Sequence, residues 1–186
     1  TTDLAVFIDG SVKHSRVLSL GGNHLTNDAA VGLRSPFDQA EKIKRRYGCA
    51  SPRFLTHDEI LLVPSVGGRA PREVSRKQLC EFLEPRAEEI LTLVRRELVD
   101  TGFLSKIPCG IVVTGGSSSL EGLPECAGEG FEVPVRRGLT RGIGGLVDRV
   151  QGPEFATGLG PALHGPRRLA RPRARVAAGS RFRQIR

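Results

Sequence analysis

An apolar segment that ends in two glycines constrains the fold of this chain more than any other feature. Residues 109–113 are uncharged, and Thr114-Gly115-Gly116-Ser117 follows at once. Such a segment is typical of a strand buried on both faces of a parallel sheet. Ligands of α/β folds bind at the carboxyl edge of the sheet, where backbone without Cβ atoms lets a base or ribose approach closely. Taken alone, the pattern is a weak signal and is more typical of an ordinary tight turn.

The rest of the chain predicts further alternation of strands and helices. Residues 4–8 and 12–20 form a predicted β-hairpin around Asp9-Gly10. Gly21-Gly22-Asn23 breaks the second strand, and Asn23 is the predicted cap of a helix over 25–33.

The next helices have their own start and stop signals. Ser35 is a predicted cap before Pro36, and Gly48 ends that helix. Ser75 caps a longer amphipathic helix, which Pro85 is expected to kink or split. Residues 120–126 and 154–163 are shorter helical predictions, separated by a strand at 131–136.

The helix after Ser35 carries a charged face. Glu41, Lys44 and Arg45 share it at spacings of three and four residues. In isolation, this is the pattern of a solvated helix surface with an ion pair.

Together, the two signals resemble the adenosine site of the actin and heat-shock-chaperone ATPase superfamily. That resemblance implies ATP, with Mg²⁺ in the full-length protein, as the ligand. It places Gly115, Gly116 and Ser117 along the nucleoside, with Glu41 and Lys44 facing it.

The first residues of the chain resemble the end of the superfamily's second phosphate loop. Thr1 and Thr2 would then hydrogen-bond a phosphate oxygen or a metal-bound water. The alternative is that they only begin a strand.

Four segments narrow the resemblance to the FtsA family of bacterial cell division proteins. In chain order they read AEKIKRRYGCA (40–50), PSVGGRAPR (64–72), LEPRAEEIL (83–91) and GIGGLVDRVQGPEFATG (142–158), which is also their order in the family. The resemblance implies the actin-like, ribonuclease H-like α/β fold, with only subdomains IIA and IIB present. Residues 1–50 and 103–165 would form IIA, 51–102 would form IIB, and 166–186 a basic disordered tail.

The same resemblance implies a function at the septum. The protein would bind ATP with weak or no hydrolysis, link the FtsZ ring to the inner face of the cytoplasmic membrane, recruit other division proteins and self-associate into filaments. Subdomain IIB would receive the partly acidic C-terminal peptide of FtsZ, and a hydrophobic groove with basic groups would suit it. The basic residues proposed for that contact are Arg69, Arg72, Arg76, Lys77 and Arg86. For each of them, a solvated charge is the alternative.

Some expected family parts would lie upstream of Thr1, including the first phosphate loop and the central strand of the IIA sheet. Hydrolysis by this chain alone is therefore not expected, and no catalytic residue is assigned. The hairpin and the later strands would flank an empty slot, which predicts marginal stability.

The net charge and the spacing of the cysteines decide which alternative functions stay open. The formal net charge is +8, and residues 166–186 contain eight arginines and no acid. This leaves open a nucleic-acid-binding tail, contact with anionic lipid, an inert fragment, or another actin-like protein of pilus assembly or cell shape. No nucleic-acid partner is expected. The four cysteines are too far apart for a zinc site and predict buried thiols.

Overall fold

The computed structural model describes residues 1–140, 144 and 150–169. Helices and strands are mixed along the chain: two antiparallel strand pairs are each followed by helix, and a parallel strand–helix–strand unit comes after them. In chain order they are β1 (Thr2–Ile8), β2 (Ser11–Leu18), α1 (Gly22–Leu33), α2 (Phe37–Tyr47), β3 (Ile60–Val63), β4 (Arg72–Ser75), α3 (Arg76–Asp100), β5 (Ile111–Val113), α4 (Leu123–Phe131), β6 (Val135–Arg137) and α5 (Ala156–Leu169). Within the described ranges, no helix is long and apolar enough to cross a membrane.

The described strands form three two-stranded sheets. The predicted hairpin is confirmed as the antiparallel pair β1–β2. Its turn is made by Asp9 (φ 52°) and Gly10 (φ 73°), and positive φ at both residues is the mark of a type I′ turn. β3–β4 is a second antiparallel pair, and β5–β6 is parallel. The empty slot between the hairpin and β5–β6 stays a prediction.

The prediction for β5 was right about parallel pairing and wrong about burial. Val112 is 49% exposed, because β5 pairs with β6 alone among the described strands. The strand also begins at Ile111 rather than at residue 109, since Gly110 has φ 96° and its N–H donates to the Ile107 carbonyl.

Two predicted helix caps are wrong, and one is confirmed. Asn23 lies inside α1, whose cap is Gly21. Ser35 precedes the actual cap of α2, Pro36, and its buried hydroxyl has no hydrogen-bond partner in the described part of the chain. Ser75 caps α3 as predicted, because its hydroxyl accepts from the Gln78 N–H at 3.1 Å.

Helix α3 joins two apolar clusters. Its first half packs Leu79 and Leu83 against α1, and its second half packs Leu98 near Val6 and Phe131. The helix runs unbroken through Pro85, so the predicted split does not occur.

The last two helices begin or end at other residues than the sequence predicted. α4 begins three residues after the predicted start, and α5 continues past the predicted end to Leu169. Residues 170–186 of the predicted tail, and part of the 142–158 segment, lie outside the described residues.

Candidate functional site

The predicted nucleotide residues meet at the glycine turn between β2 and α1. A Cβ atom on Gly22 would lie 2.6 Å from Ser117 Oγ and 3.8 Å from Lys44 Nζ. The turn after β5 and the charged face of α2 therefore converge on one point, although they are about seventy residues apart in sequence. On the other side of the turn, a Cβ atom on Gly21 would lie 2.6 Å from the Thr1 carbonyl oxygen. The sequence had indicated these two glycines only as a strand break.

Lys44 is held in place by protein acceptors. Its side chain is buried, and its ammonium donates to the Gly22 carbonyl (3.0 Å), Thr26 Oγ1 (2.8 Å) and Glu41 Oε2 (2.6 Å). An ammonium has three N–H donors, and all three are occupied. Lys44 therefore positions the turn and the carboxylate, rather than presenting a free donor to a ligand.

Glu41 keeps one oxygen available. Its Oε2 accepts from both Lys44 and Thr26, whereas no described group bonds its Oε1. Burial acts to raise the pKa of Glu41, but the hydrogen bonds from Lys44 and Thr26, with the charges of Lys44 and Arg45, outweigh it and lower the pKa. The result is an ionised carboxylate with a free acceptor, which suits a hydroxyl-bearing ligand.

Thr26 belongs to this site, although the sequence gave no reason to single it out. It is fully buried one turn into α1, and its single hydroxyl proton lies within reach of two acceptors, the Gly22 carbonyl at 3.0 Å and Glu41 Oε2. The sequence signal that could have identified it is a threonine one turn into a helix that begins at Gly-Gly.

The double glycine after β5 leaves its backbone open. Gly115 has φ 88°, which L side chains rarely adopt, and a Cβ atom on either Gly115 or Gly116 would meet no atom within 4 Å. The turn is fixed from behind, since the Gly115 N–H donates to the Pro153 carbonyl at 2.9 Å. Ser118 Oγ also donates to the Gly115 carbonyl at 2.7 Å. A flat group can therefore approach this main chain without displacing a side chain.

The two threonines at the start of the chain are partly engaged. Thr2 donates its hydroxyl to the Leu20 carbonyl at 2.8 Å, and Thr1 donates weakly to Asp3 at 3.3 Å. Thr1 lies beside Gly21, so it borders the same cleft. Each hydroxyl oxygen can still accept a hydrogen bond from a metal-bound water.

Comparisons with known proteins identify the family of this chain. The sequence profile described as "Cell division protein FtsA" matches residues 1–160. The chain belongs to the FtsA family. Relatives named cell division protein FtsA are 43% identical over 98% of this chain in Pseudomonas aeruginosa and 40% identical over 89% in Escherichia coli K12. This FtsA-family chain spans 44% and 41% of those relatives' lengths.

Solved structures confirm the actin-like fold. MreB5 of Spiroplasma citri bound to AMPPNP aligns with 88% of this chain and 52% of its own, at a TM-score of 0.61 and 18% sequence identity. MreB5 bound to ADP aligns at a TM-score of 0.59 and 20% identity, over 87% of this chain and 52% of its own. At such low identity, the likeness concerns the fold alone.

The five basic residues predicted for partner contact fall into two groups. In this FtsA-family chain, Arg76 donates to the Tyr47 carbonyl at 2.8 Å and pairs with Glu121, and its side chain is only 12% exposed. Arg86 binds Asp28 through Nε at 2.7 Å. Their charges are used inside the chain, which argues against a role in partner contact.

The other three basic residues remain at the surface. Arg69, Arg72 and Lys77 are exposed, although Arg72 also donates to the Leu33 carbonyl. Beside them, β3 turns Ile60 (65% exposed) and Leu62 (68% exposed) to solvent. Across the β3–β4 pair, Leu62 lies opposite Glu73, while Arg72 lies opposite the buried Val63. The resemblance implied a hydrophobic groove with basic groups in this region, and that partner site stays a prediction.

Three of the four cysteines are buried as predicted, and Cys109 is exposed. Burial raises the pKa of Cys80 to about 12 and that of Cys126 to about 11, and it also raises the pKa of Cys49. These three groups are therefore protonated thiols at neutral pH. Cys109 lies in the turn before β5, where no apolar cluster covers it.

Proposed function

We propose that this chain is the part of a cell division protein that holds one side of an ATP molecule and contacts FtsZ. In the full-length protein, it would help to link the FtsZ ring to the inner face of the cytoplasmic membrane, recruit other division proteins and join an actin-like filament. Family membership supports this role. The chain covers under half of its curated relatives, so the remaining contacts to phosphate and Mg²⁺ would come from elsewhere in the full-length protein.

The observation that carries the nucleotide proposal is the convergence at Gly22. Ser117 Oγ and Lys44 Nζ both lie within 4 Å of the position that a Cβ atom of this glycine would occupy. A Cβ atom there would clash with Ser117 Oγ, so glycine is what allows the turn after β5 to approach α1 this closely at the edge of the proposed site.

Each side of the cleft offers a different contact. Glu41 Oε1 would accept a ribose hydroxyl, while the bare backbone at Gly115 and Gly116 would lie along the nucleoside. Ser117 and Thr1 border the Gly21-Gly22 turn from its two sides. The MreB5 structures of the same fold contain AMPPNP and ADP, which supports a nucleotide as the ligand.

The FtsZ contact is proposed for the outer face of β3. Ile60 and Leu62 would receive apolar side chains of the FtsZ peptide, and Arg69, Arg72 and Lys77 would pair with its acids. Arg76 and Arg86 act within the fold in this proposal.

A nuclear magnetic resonance titration of the intact chain with ADP tests the nucleotide site. We expect the amide signals of Gly22, Gly116 and Ser117 to shift together, and Gly22→Ala to reduce that response because its Cβ atom would crowd Ser117 Oγ. Gly128→Ala on α4 is the matched control, since a Cβ atom there meets nothing within 4 Å. Equal responses from both variants, or no shift in a folded sample, would contradict the proposal.

The division role needs a cellular test. A chimera carries this chain in place of the matching segment of the Pseudomonas aeruginosa relative, and it is expressed in cells depleted of that relative. We expect septation to be restored, and Leu62→Asp to abolish both septal localisation and binding of a labelled FtsZ C-terminal peptide. Glu59→Lys, an exposed change just before β3, is the control. Peptide binding unaffected by Leu62→Asp would rule out this surface.

A further inference from the structure

A groove between α1 and α3 stands apart from both proposed sites. It measures about 440 Å³, and its apolar floor is formed by Val31, Phe82 and Pro85. Val31, in the last turn of α1, is 70% exposed. An exposed aliphatic side chain beside an aromatic ring can bind an apolar group of a ligand.

Acidic groups surround this floor. Asp28, Glu81 and Glu89 line the groove, and Arg86 is the basic residue among its lining residues. Arg86 is shared between Asp28 and Glu89, so one guanidinium faces two carboxylates. Glu81 has no ion-pair partner within the described ranges. The rim therefore keeps an excess of about two negative charges, which favours a basic occupant.

The backbone adds an acceptor. Pro85 has no N–H, so the carbonyl of Glu81 lacks the hydrogen bond that it would otherwise receive inside α3. A carbonyl freed in this way beside carboxylates suits the several N–H donors of an arginine guanidinium.

We propose that the arginine-rich C-terminal segment of this same chain, residues 170–186, docks in this groove. The segment contains six arginines and no acid, and its end, Arg181-Phe182-Arg183-Gln184-Ile185-Arg186, places apolar residues between basic ones. Phe182 and Ile185 match the apolar floor, while the flanking arginines match the acidic rim. This inference is independent of the proposed nucleotide and FtsZ sites.

The segment is long enough to reach the groove. Helices α1 and α5 both start near the Gly115 turn. Gly22, the first residue of α1, lies against Ser117, and the Gly115 N–H donates to the carbonyl of Pro153, just before α5. With 12 and 14 residues the two helices measure together about 40 Å. The thirteen residues from Leu169 to Phe182 span about 43 Å when extended, which exceeds that length even if α5 points directly away from α1.

Photo-cross-linking in the intact chain tests the docking. p-Benzoylphenylalanine replaces Phe182, and the cross-linked peptides are identified by mass spectrometry. We expect them to map to α1 around Val31 and to α3 around Pro85. Val31→Lys combined with Glu81→Lys should reduce the yield by about tenfold, which corresponds to about 1.4 kcal/mol. Both positions are exposed, so an unchanged melting temperature shows that the fold is retained.

The control variant is Glu125→Lys, which makes the same Glu-to-Lys charge reversal as Glu81→Lys at an exposed position on α4, away from the groove. It should leave the cross-link yield unchanged. Equal losses from both variants would show only a general charge effect and would overturn the docking site. Cross-links found only between two copies of the chain, or distributed over the surface, would equally overturn it.

Discussion

Replacing Lys44 with methionine isolates the contribution of the buried ammonium to the cleft. Methionine keeps most of the aliphatic packing but removes three charge-assisted hydrogen bonds, to Gly22, Thr26 and Glu41. Each such bond contributes about 1.5–3 kcal/mol when the partner is left unsatisfied. Here the loss is partly offset, because the one hydroxyl proton of Thr26 still serves either the Gly22 carbonyl or Glu41.

The expected loss is therefore well below the sum of three bonds. Glu41 is also 36% exposed, so water replaces part of what the ammonium supplied. We expect Lys44→Met to lower the free energy of unfolding by about 2 kcal/mol, or the melting temperature by about 4–8 °C for a chain of this size. Lys42→Met, an exposed neighbour on the same helix, should cost under about 0.5 kcal/mol.

Urea unfolding at several pH values provides the measurement. The folded-state pKa of Glu41 is lowered, so its contribution to stability is fully present above the unfolded-state pKa of about 4.3 and is lost as the pH falls through the folded-state value. The difference between the wild type and Lys44→Met should accordingly shrink in acid. If Lys44→Met matched Lys42→Met at neutral pH, the assignment of Lys44 as the residue that positions the cleft would be refuted.

Three further predictions use other contacts of the same structure. Gly115→Ala should lower the melting temperature, at a cost of about 1–3 kcal/mol from its φ of 88°, while Gly116→Ala should be nearly neutral. A thiol reagent at pH 8 should label Cys109 rapidly and leave the other three cysteines, among them Cys80, unreacted until the chain unfolds; rapid labelling of two or more thiols would contradict the burial. Arg76→Met should cost about 1.5–3 kcal/mol by calorimetry because it removes the charged donor to the Tyr47 carbonyl and to Glu121, whereas the same change at the exposed lysine that follows should cost little.

Local signals were reliable where one short segment decides its own geometry. Asp9-Gly10 predicted a tight hairpin turn because both residues accept positive φ, and Ser75 predicted a helix start because its hydroxyl reaches an N–H three residues on. Asn23 and Ser35 failed as caps for the opposite reason. Each lies where the backbone path, set by packing around α1 and α2, moves the helix start by a residue or two.

Burial and pairing were harder to predict, because they depend on groups distant in sequence. Val112 looks like a core residue in sequence, yet it is half exposed because β5 has a single described partner strand. Arg76 and Arg86 look like solvated surface charges, yet Glu121 and Asp28 neutralise them within the fold. No sequence pattern joins those pairs, which are 45 and 58 residues apart.

The sequence by itself determined the family, the alternation of strands and helices, and the two elements that form the cleft, since each is carried by a contiguous run of residues. Only the tertiary structure decided what lies between those elements. Gly22 and Thr26 became part of the site because chain folding brings α1, α2 and the β5 turn within contact of one another. Lys44 became a positioning residue rather than a ligand contact because all three of its donors found protein acceptors, and that count exists only once the chain has folded.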